Sequence, residues 1–242
     1  MYKLEDFITM HRPERFADFW GSDNIKSSLK KWLARGLYPR AILLVGDCGV
    51  GKTTLARLIA KRFTCLSQEK EEIEPCFKCV NCTQETPNNV EFDLTNSCVE
   101  GIRVYLRNYA VNLFTDRITL YFDELQRWNL KNQEIFLKPI EEMEDVHFIF
   151  SATNLDFVEE GILSRSTILQ VAKPSAEEMI LRLKPIADKY LIKITEGALK
   201  KLVRLSRNTP RKCLKAFNLL IDFGREITEE TYDDEFIRKS IL

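Results

Sequence analysis

The sequence predicts an α/β fold: a five-stranded parallel sheet wrapped by helices, followed by a small all-helical domain. Three observations predict it. Short apolar runs alternate with helix-length segments across the first two thirds of the chain. The first of those runs, AILLV at 41–45, ends at a glycine loop that leads straight into a helical pattern. After Val171 the texture changes to helices alone.

The elements follow in order. AILLV is apolar without alternation, which suits a strand covered on both faces. TLARLIAKRF at 54–63 sets Leu55, Leu58, Ile59 and Phe63 at helical spacing, with Arg57, Lys61 and Arg62 on another face. VEFDL at 90–94, ITLYFDE at 118–124, HFIFSAT at 147–153 and STILQV at 166–171 are the further strands. Lys173-Pro174-Ser175 reads as a hinge, dividing a core of residues 1–172 from a helical domain of residues 173–242. Ser175 and Glu178 form a capping-box pattern that opens a helix lined by Met179, Leu183 and Ile186, with a kink expected at Pro185. Thr209 and Pro210 read as N-cap and first helical residue of a helix through about Leu220, and Thr228 as the cap of a last one.

Bulk properties narrow the function classes. At 242 residues and 45% hydrophobic content the chain can bury a proper core. The 36 basic and 36 acidic residues cancel, so any nucleic-acid surface has to be local. The opening MYKLEDFITMHRPERF lacks the pattern of an export signal, and no apolar run approaches the ~18 residues of a membrane span, so a cytoplasmic location is the expectation. Seven cysteines in such a chain do not read as a disulfide framework.

Gly46-Asp47-Cys48-Gly49-Val50-Gly51-Lys52-Thr53 matches GxxxxGK[ST] in full, between a strand and a helix, with Thr54 next in the turn. Glycines let backbone N–H groups approach phosphate oxygens, and the helix N-terminus favours negative charge. Lys52 neutralises β- and γ-phosphate charge in such a site, and the Thr53 hydroxyl ligates Mg²⁺. Asp123 and Glu124 end a buried strand, where open α/β sheets put their ligand sites. Asp123 is expected to hold the magnesium through its water shell, and Glu124 to orient or deprotonate the attacking water. At the end of the next strand, Thr153 or Asn154 could sense the γ-phosphate, or serve only as a turn former.

Cys65, Cys76, Cys79 and Cys82 give C-x10-C-x2-C-x2-C, a set that suits a tetrahedral four-sulfur site. Zinc is the expected ion, with iron–sulfur ligation the lesser alternative. Four thiolates close the coordination shell, so the insertion at about 65–82 reads as a structural staple. Cys48, Cys98 and Cys213 lack partners at useful spacing.

The phosphate loop, the four-cysteine insertion and the Asp-Glu strand, in this order, resemble the gamma/tau family of bacterial DNA polymerase III clamp-loader subunits, which are AAA+ ATPases. HRPERFADFWG, NQEIFLKPIEEMEDVHFIFSATN and ILSRS extend the resemblance over nearly the whole chain. It implies an AAA+ core with a helical lid, and ATP, Mg²⁺ and Zn²⁺ as cofactors. It also implies a role in loading a sliding clamp onto primer-template DNA, in an assembly with other AAA+ subunits. Arg12 and Pro13 would lie by the adenine, Thr153 would be the first sensor, and Arg165 the arginine finger that reaches a neighbouring subunit's ATP. Arg211 matches the second sensor, although Arg207–Lys212 departs from the family's usual residues there, and a surface ion pair is an equal reading. Ser166 replaces a family cysteine, and the first cysteine gap is longer than the family's. Arg103, Arg107, Arg127 and Lys131 are candidates for DNA-backbone contacts, or a solvated helix face. The family's third, collar-forming helical domain is expected to be missing. Two rivals share the motif set: another DNA-associated AAA+ machine, from phage or mobile-element replication or junction remodelling, and a non-hydrolysing scaffold subunit.

Overall fold

A computed structural model describes residues 4–67, 72–83, 88–109, 117–221, 224, 226–235 and 237. A first helix, α1 (Leu4–Met10), and α2 (Asp23–Arg35) precede β1 (Ala41–Val45) and α3 (Lys52–Thr64). The short α4 (Val80–Thr83), β2 (Asn89–Asp93), α5 (Val99–Tyr109) and β3 (Ile118–Asp123) follow. Next come α6 (Leu130–Gln133), α7 (Leu137–Glu142), β4 (Val146–Ala152), α8 (Glu160–Arg165) and β5 (Thr167–Gln170). The five strands form one parallel sheet in the order β2-β3-β4-β1-β5. The expected strands sit within a residue or so of their observed bounds.

Alternation along the buried strands divides the core into two layers. Leu43, Leu120, Phe122, Phe148 and Phe150 face a cluster with Ile102 and Leu106 of α5, Phe136 and Ile140. Ile42, Leu44, Tyr121 and Ile149 face the opposite cluster, with Leu29 and Leu33 of α2 and Leu55, Ile59 and Phe63 of α3. Both faces are covered, which is why these strands read as continuous apolar runs.

The remaining chain forms α9 (Ala176–Lys189), a two-residue strand β6 (Lys193–Ile194), α10 (Glu196–Leu205), α11 (Pro210–Ile221) and a two-residue strand β7 (Glu226–Ile227). Ser175 and Glu178 cap α9 reciprocally, at 3.1 and 2.8 Å. The helix runs through Pro185 without interruption. The parallel pair β6–β7 is a small departure from a purely helical segment. Thr209 does not act as a side-chain cap: its hydroxyl donates to the Arg207 carbonyl at 3.4 Å, while its own carbonyl accepts the first helical bond from Cys213. Thr228 closes a turn with Thr231 instead of capping a helix directly. Phe7 of α1 and Trp20 join the hydrophobic cluster of α9–α11, so the N-terminal segment bridges the two parts of the molecule. Among the described residues no helix is long and apolar enough to cross a membrane.

Candidate nucleotide-binding site

The ends of three neighbouring strands meet at one cleft. β1 lies beside β4 and β4 beside β3, so the glycine loop after β1 faces the acids after β3 across the end of β4. The loop is held tightly. The Gly46 amide donates to the Ala152 carbonyl at 3.2 Å, and a Cβ on Gly46 would come within 2.5 Å of the Val171 carbonyl oxygen. Gly49 and Gly51 have φ of +81° and +105°, conformations that side chains disfavour. A Cβ at Gly49 would meet Arg211 at 3.0 Å and one at Gly51 would meet the Phe19 ring at 3.0 Å.

Lys52 is 5% exposed, and its Nζ donates to the carbonyls of Gly46 at 2.8 Å and Asp47 at 3.1 Å. The charge is therefore satisfied by neutral acceptors alone among its hydrogen bonds. Thr53 Oγ1 donates to Asp123 Oδ2 at 2.8 Å. Asp123 Oδ1 accepts from the Ser151 hydroxyl and from the Glu124 amide at 3.1 Å. Glu124 has φ of +60°, which turns the chain just after the strand. Its Oε2 accepts from Gln126 Nε2 at 2.5 Å and pairs with Arg127 at 3.9 Å. The other end of Gln126 accepts from the Thr153 amide at 3.3 Å, tying Glu124 to the end of β4. Asn154 is committed locally: its Oδ1 accepts from the Asp156 amide at 3.1 Å. Of the two candidates at this strand end, Thr153 is the one whose side chain is not taken up by a cap.

The cleft has about 820 Å³ of empty space including its open mouth. Its lining includes Arg12, Pro13, Cys48, Gly49, Val50, Gly51, Lys52, Thr53, Thr54, Glu124 and Arg211. The Arg211 amide also donates to the Gly49 carbonyl at 3.3 Å, so α11 sits directly on the glycine loop. Arg12 Nη1 is buried without a hydrogen-bond partner. Burial, and then the like charges of Arg57 and Arg211, lower its pKa. A buried guanidinium nitrogen without a partner is a costly arrangement that an anionic ligand relieves. Lys173 pairs with Asp47 at 2.7 Å and lowers its pKa.

The sulfurs of Cys65, Cys76, Cys79 and Cys82 all lie within 4.8 Å of one another. Cys76–Cys82 is 3.9 Å and Cys79–Cys82 is 3.4 Å, close to the ~3.8 Å edge of a tetrahedron with metal–sulfur bonds of ~2.3 Å. Backbone N–H groups already point at sulfur: Cys76 to Cys65 and Cys79 to Cys76, both at 3.3 Å. Backbone hydrogen bonds from Lys78 and Cys79 lower the Cys76 thiol to about 6.

A family model described as DNA polymerase III, delta subunit, matches residues 21–175. The chain belongs to that family. Within the DNA polymerase III delta family, this chain is gamma/tau-like. It is 30% identical over 180 residues to the DNA polymerase III subunit gamma of Buchnera aphidicola from Acyrthosiphon pisum, covering 72% of this chain and 49% of that protein. It is 32% identical over 161 residues to the subunit tau of Escherichia coli, covering 64% of this chain and 25% of that protein. The chain thus spans about half or less of the length of these curated relatives. Among solved structures it is similar to the RuvB Holliday junction branch migration motor of Thermotoga maritima, with a TM-score of 0.65 and 21% identity over 97% of this chain and 72% of that one. The fold is that of an AAA+ ATPase.

In this delta-family chain, Arg165 stands apart from the cleft. Its guanidinium pairs with Glu141, with Nε at 2.7 Å, and donates to the Gly161 carbonyl at 3.0 Å. Ser166 carries a buried hydroxyl without a partner. Arg103 and Arg107 lie on α5, and Arg103 pairs with Glu100 at 2.6 Å. Arg127 and Lys131 follow β3. Sequence reasoning missed two polar residues at the centre of the site. Ser151, fully buried, joins Asp123 to Glu124, and Gln126 joins Glu124 to Thr153. The available signal for Ser151 was a hydroxyl in a strand that is apolar apart from it and His147, and a buried hydroxyl has to find a partner.

Proposed function

We propose that this chain is an ATP-binding and ATP-hydrolysing subunit of a clamp-loader-type assembly, coupling nucleotide binding and hydrolysis to the loading of a sliding clamp on primed DNA. The observation that carries the reading is the Thr53–Asp123 hydrogen bond at the foot of the glycine loop, with Glu124 beside it. A hydroxyl and a carboxylate 2.8 Å apart can share one divalent ion, Thr53 as direct ligand and Asp123 through water. ATP bound with Mg²⁺ would supply the transferable phosphoryl group and a metal charge that offsets the negative charge on its oxygens.

This chain's own residues do the rest. Lys52 exchanges its two carbonyl partners for phosphate oxygens, aided by the loop amides from Gly46 to Thr54. Glu124 orients or deprotonates the attacking water, and Thr153 senses the γ-phosphate. Arg12 and Pro13 border the base, and the unpaired Arg12 nitrogen supports an anionic ligand in this cleft. Arg211 reaches the nucleotide from the lid. Arg165, outside its own cleft, serves a neighbouring subunit as arginine finger, so hydrolysis depends on assembly. The four cysteines hold a structural zinc ion. Arg103, Arg107, Arg127 and Lys131 contact DNA phosphates. Similar AAA+ subunits, a sliding clamp and primer-template DNA are the partners.

ATP turnover measured with primer-template DNA and with a sliding clamp tests this reading. Turnover that rises with DNA and again with the clamp is the expected result. Stimulation by DNA with indifference to any clamp would assign the chain to another DNA-associated AAA+ machine. Binding without turnover, even with partner subunits present, would assign it to a scaffold.

A further inference from the structure

The segment ahead of α2 forms one wall of the cleft, through Ile8, His11, Arg12, Pro13, Phe19 and Trp20. Its far side is held by the cysteine insertion. Glu74, between Cys65 and Cys76 in sequence, accepts from the amides of two consecutive residues of that wall, Phe16 at 3.0 Å and Ala17 at 2.7 Å, one on each carboxylate oxygen. The Arg15 guanidinium lies 4.9 Å from the centre of the Phe77 ring. Ile73 is buried in the same cluster as Phe16 and Phe19. Phe19 in turn lies against Gly51 of the phosphate loop. The lid grips the same few residues, with Arg182 donating to the Ala17 carbonyl and pairing with Asp18 at 3.6 Å.

Glu74, Ile73 and Phe77 sit in a stretch with no helix or strand among its described residues, 65–67 and 72–79. Such a stretch keeps one shape only if it is held; Arg62 Nε donates to the Glu72 carbonyl at 3.0 Å, Ile73 is buried, and the sulfurs gathered at the two ends offer a further closure that a metal could lock.

We propose that Glu74 is a positioning residue for nucleotide binding, through which the metal-bound cysteine module sets the base-side wall of the cleft. Metal loading and nucleotide affinity are then coupled, and linkage makes the coupling reciprocal. The inference rests on the nucleotide and metal readings proposed above.

The experiment follows the full chain, loaded with zinc alone or stripped by a chelator, as wild type, Glu74→Ala and Glu74→Gln. Amide hydrogen exchange is read over residues 12–20, with the β1 amides as a control for folding, alongside equilibrium binding of a non-hydrolysable ATP analogue. Stripping the wild type should raise exchange at Phe16 and Ala17 and weaken the analogue, each by about tenfold, the scale of losing a charge-assisted hydrogen bond. Glu74→Ala should do the same while zinc-loaded, with little further change in affinity on stripping. Glu74→Gln, which keeps one acceptor oxygen, should fall between. Phe16 and Ala17 amides equally protected with and without zinc would overturn the proposal, as would a Glu74→Ala chain with wild-type affinity and zinc dependence. If the wild type binds no analogue in either state, the nucleotide reading falls, and unchanged exchange would overturn the coupling separately.

Discussion

Replacing Ser151 by alanine removes the hydroxyl that ties the end of β4 to both acids. Ser151 is fully buried, its Oγ donating to Asp123 Oδ1 and accepting from the Glu124 amide at 3.0 Å. The Glu124 amide keeps Asp123 Oδ1 as an acceptor at 3.1 Å, so no backbone donor is orphaned. Thr53 stays on Asp123 Oδ2. What is lost is the hydrogen bond to the carboxylate, about 1.5–3 kcal/mol, together with the second acceptor of the Glu124 amide, with a void no larger than one oxygen atom. At ~2–4 °C per kcal/mol for a chain of this size, thermal unfolding should fall by about 3–12 °C. A carboxylate released from Ser151 is also less fixed toward the metal, so half-maximal turnover should require more Mg²⁺. Circular dichroism melts without nucleotide, then Mg²⁺ titrations of turnover, measure the two effects. A Ser151→Ala chain with wild-type melting and wild-type Mg²⁺ dependence would refute the reasoning that this hydroxyl holds Asp123.

Three further outcomes follow from the same geometry. Asn154→Ala removes only a local cap, so it should cost about 1 kcal/mol in unfolding and leave turnover within about twofold, whereas Thr153→Ala should lower turnover about tenfold or more. Steady-state kinetics on both separates the neighbours, and equal kinetic defects would contradict the assignment. Gly49→Val puts a branched side chain at φ +81°, against Arg211 and Thr209, and should weaken equilibrium binding of an ATP analogue while the α9–α11 helices stay folded by hydrogen exchange; wild-type affinity would be inconsistent with the packing of α11 on the loop. Burial lowers the pKa of His147, and burial followed by the Lys189 charge lowers that of His11, so the unfolded chain takes up protons first on acidification. Their contribution is fully present above the ordinary value of 6.5 and falls as pH drops through it, by up to about 1.4 kcal/mol per pH unit for the buried His147 and by less for the more exposed His11. His147→Gln should flatten the fall in denaturant-measured stability as pH drops below about 6.5; an undiminished slope would place the titration elsewhere.

The sheet was legible because strands covered on both faces leave an unambiguous apolar signature, as in Ala41–Val45 and Val146–Ala152. Strand order was not, since nothing local in AILLV says that it lies between β4 and β5. The glycine loop and the acid pair were legible as contiguous motifs that need a fixed spacing. Ser151, Gln126 and Glu74 were not, because each acts through a partner brought close by folding: Gln126 bridges residues 124 and 153, and Glu74 reaches back to residues 16 and 17. The N-terminal helix gave no hint that Phe7 would pack among the helices of the lid, a contact made across most of the chain. Thr209 misled for a different reason. Thr-Pro is a common helix start, but the residues before it, Arg207 and Asn208, take positive φ, and the Thr209 hydroxyl turns back to the Arg207 carbonyl.

On the proposed function, nucleotide bound at Lys52 of one subunit is hydrolysed with Arg165 of another. Mixing Lys52→Ala with Arg165→Ala and measuring ATP turnover in the presence of primer-template DNA tests it directly. Each variant inactive alone, with turnover regained in the mixture, is the predicted result, because the mixture contains clefts with an intact Lys52 facing subunits with an intact Arg165. An Arg165→Ala chain with full turnover, unchanged by DNA and by mixing, would contradict the claim.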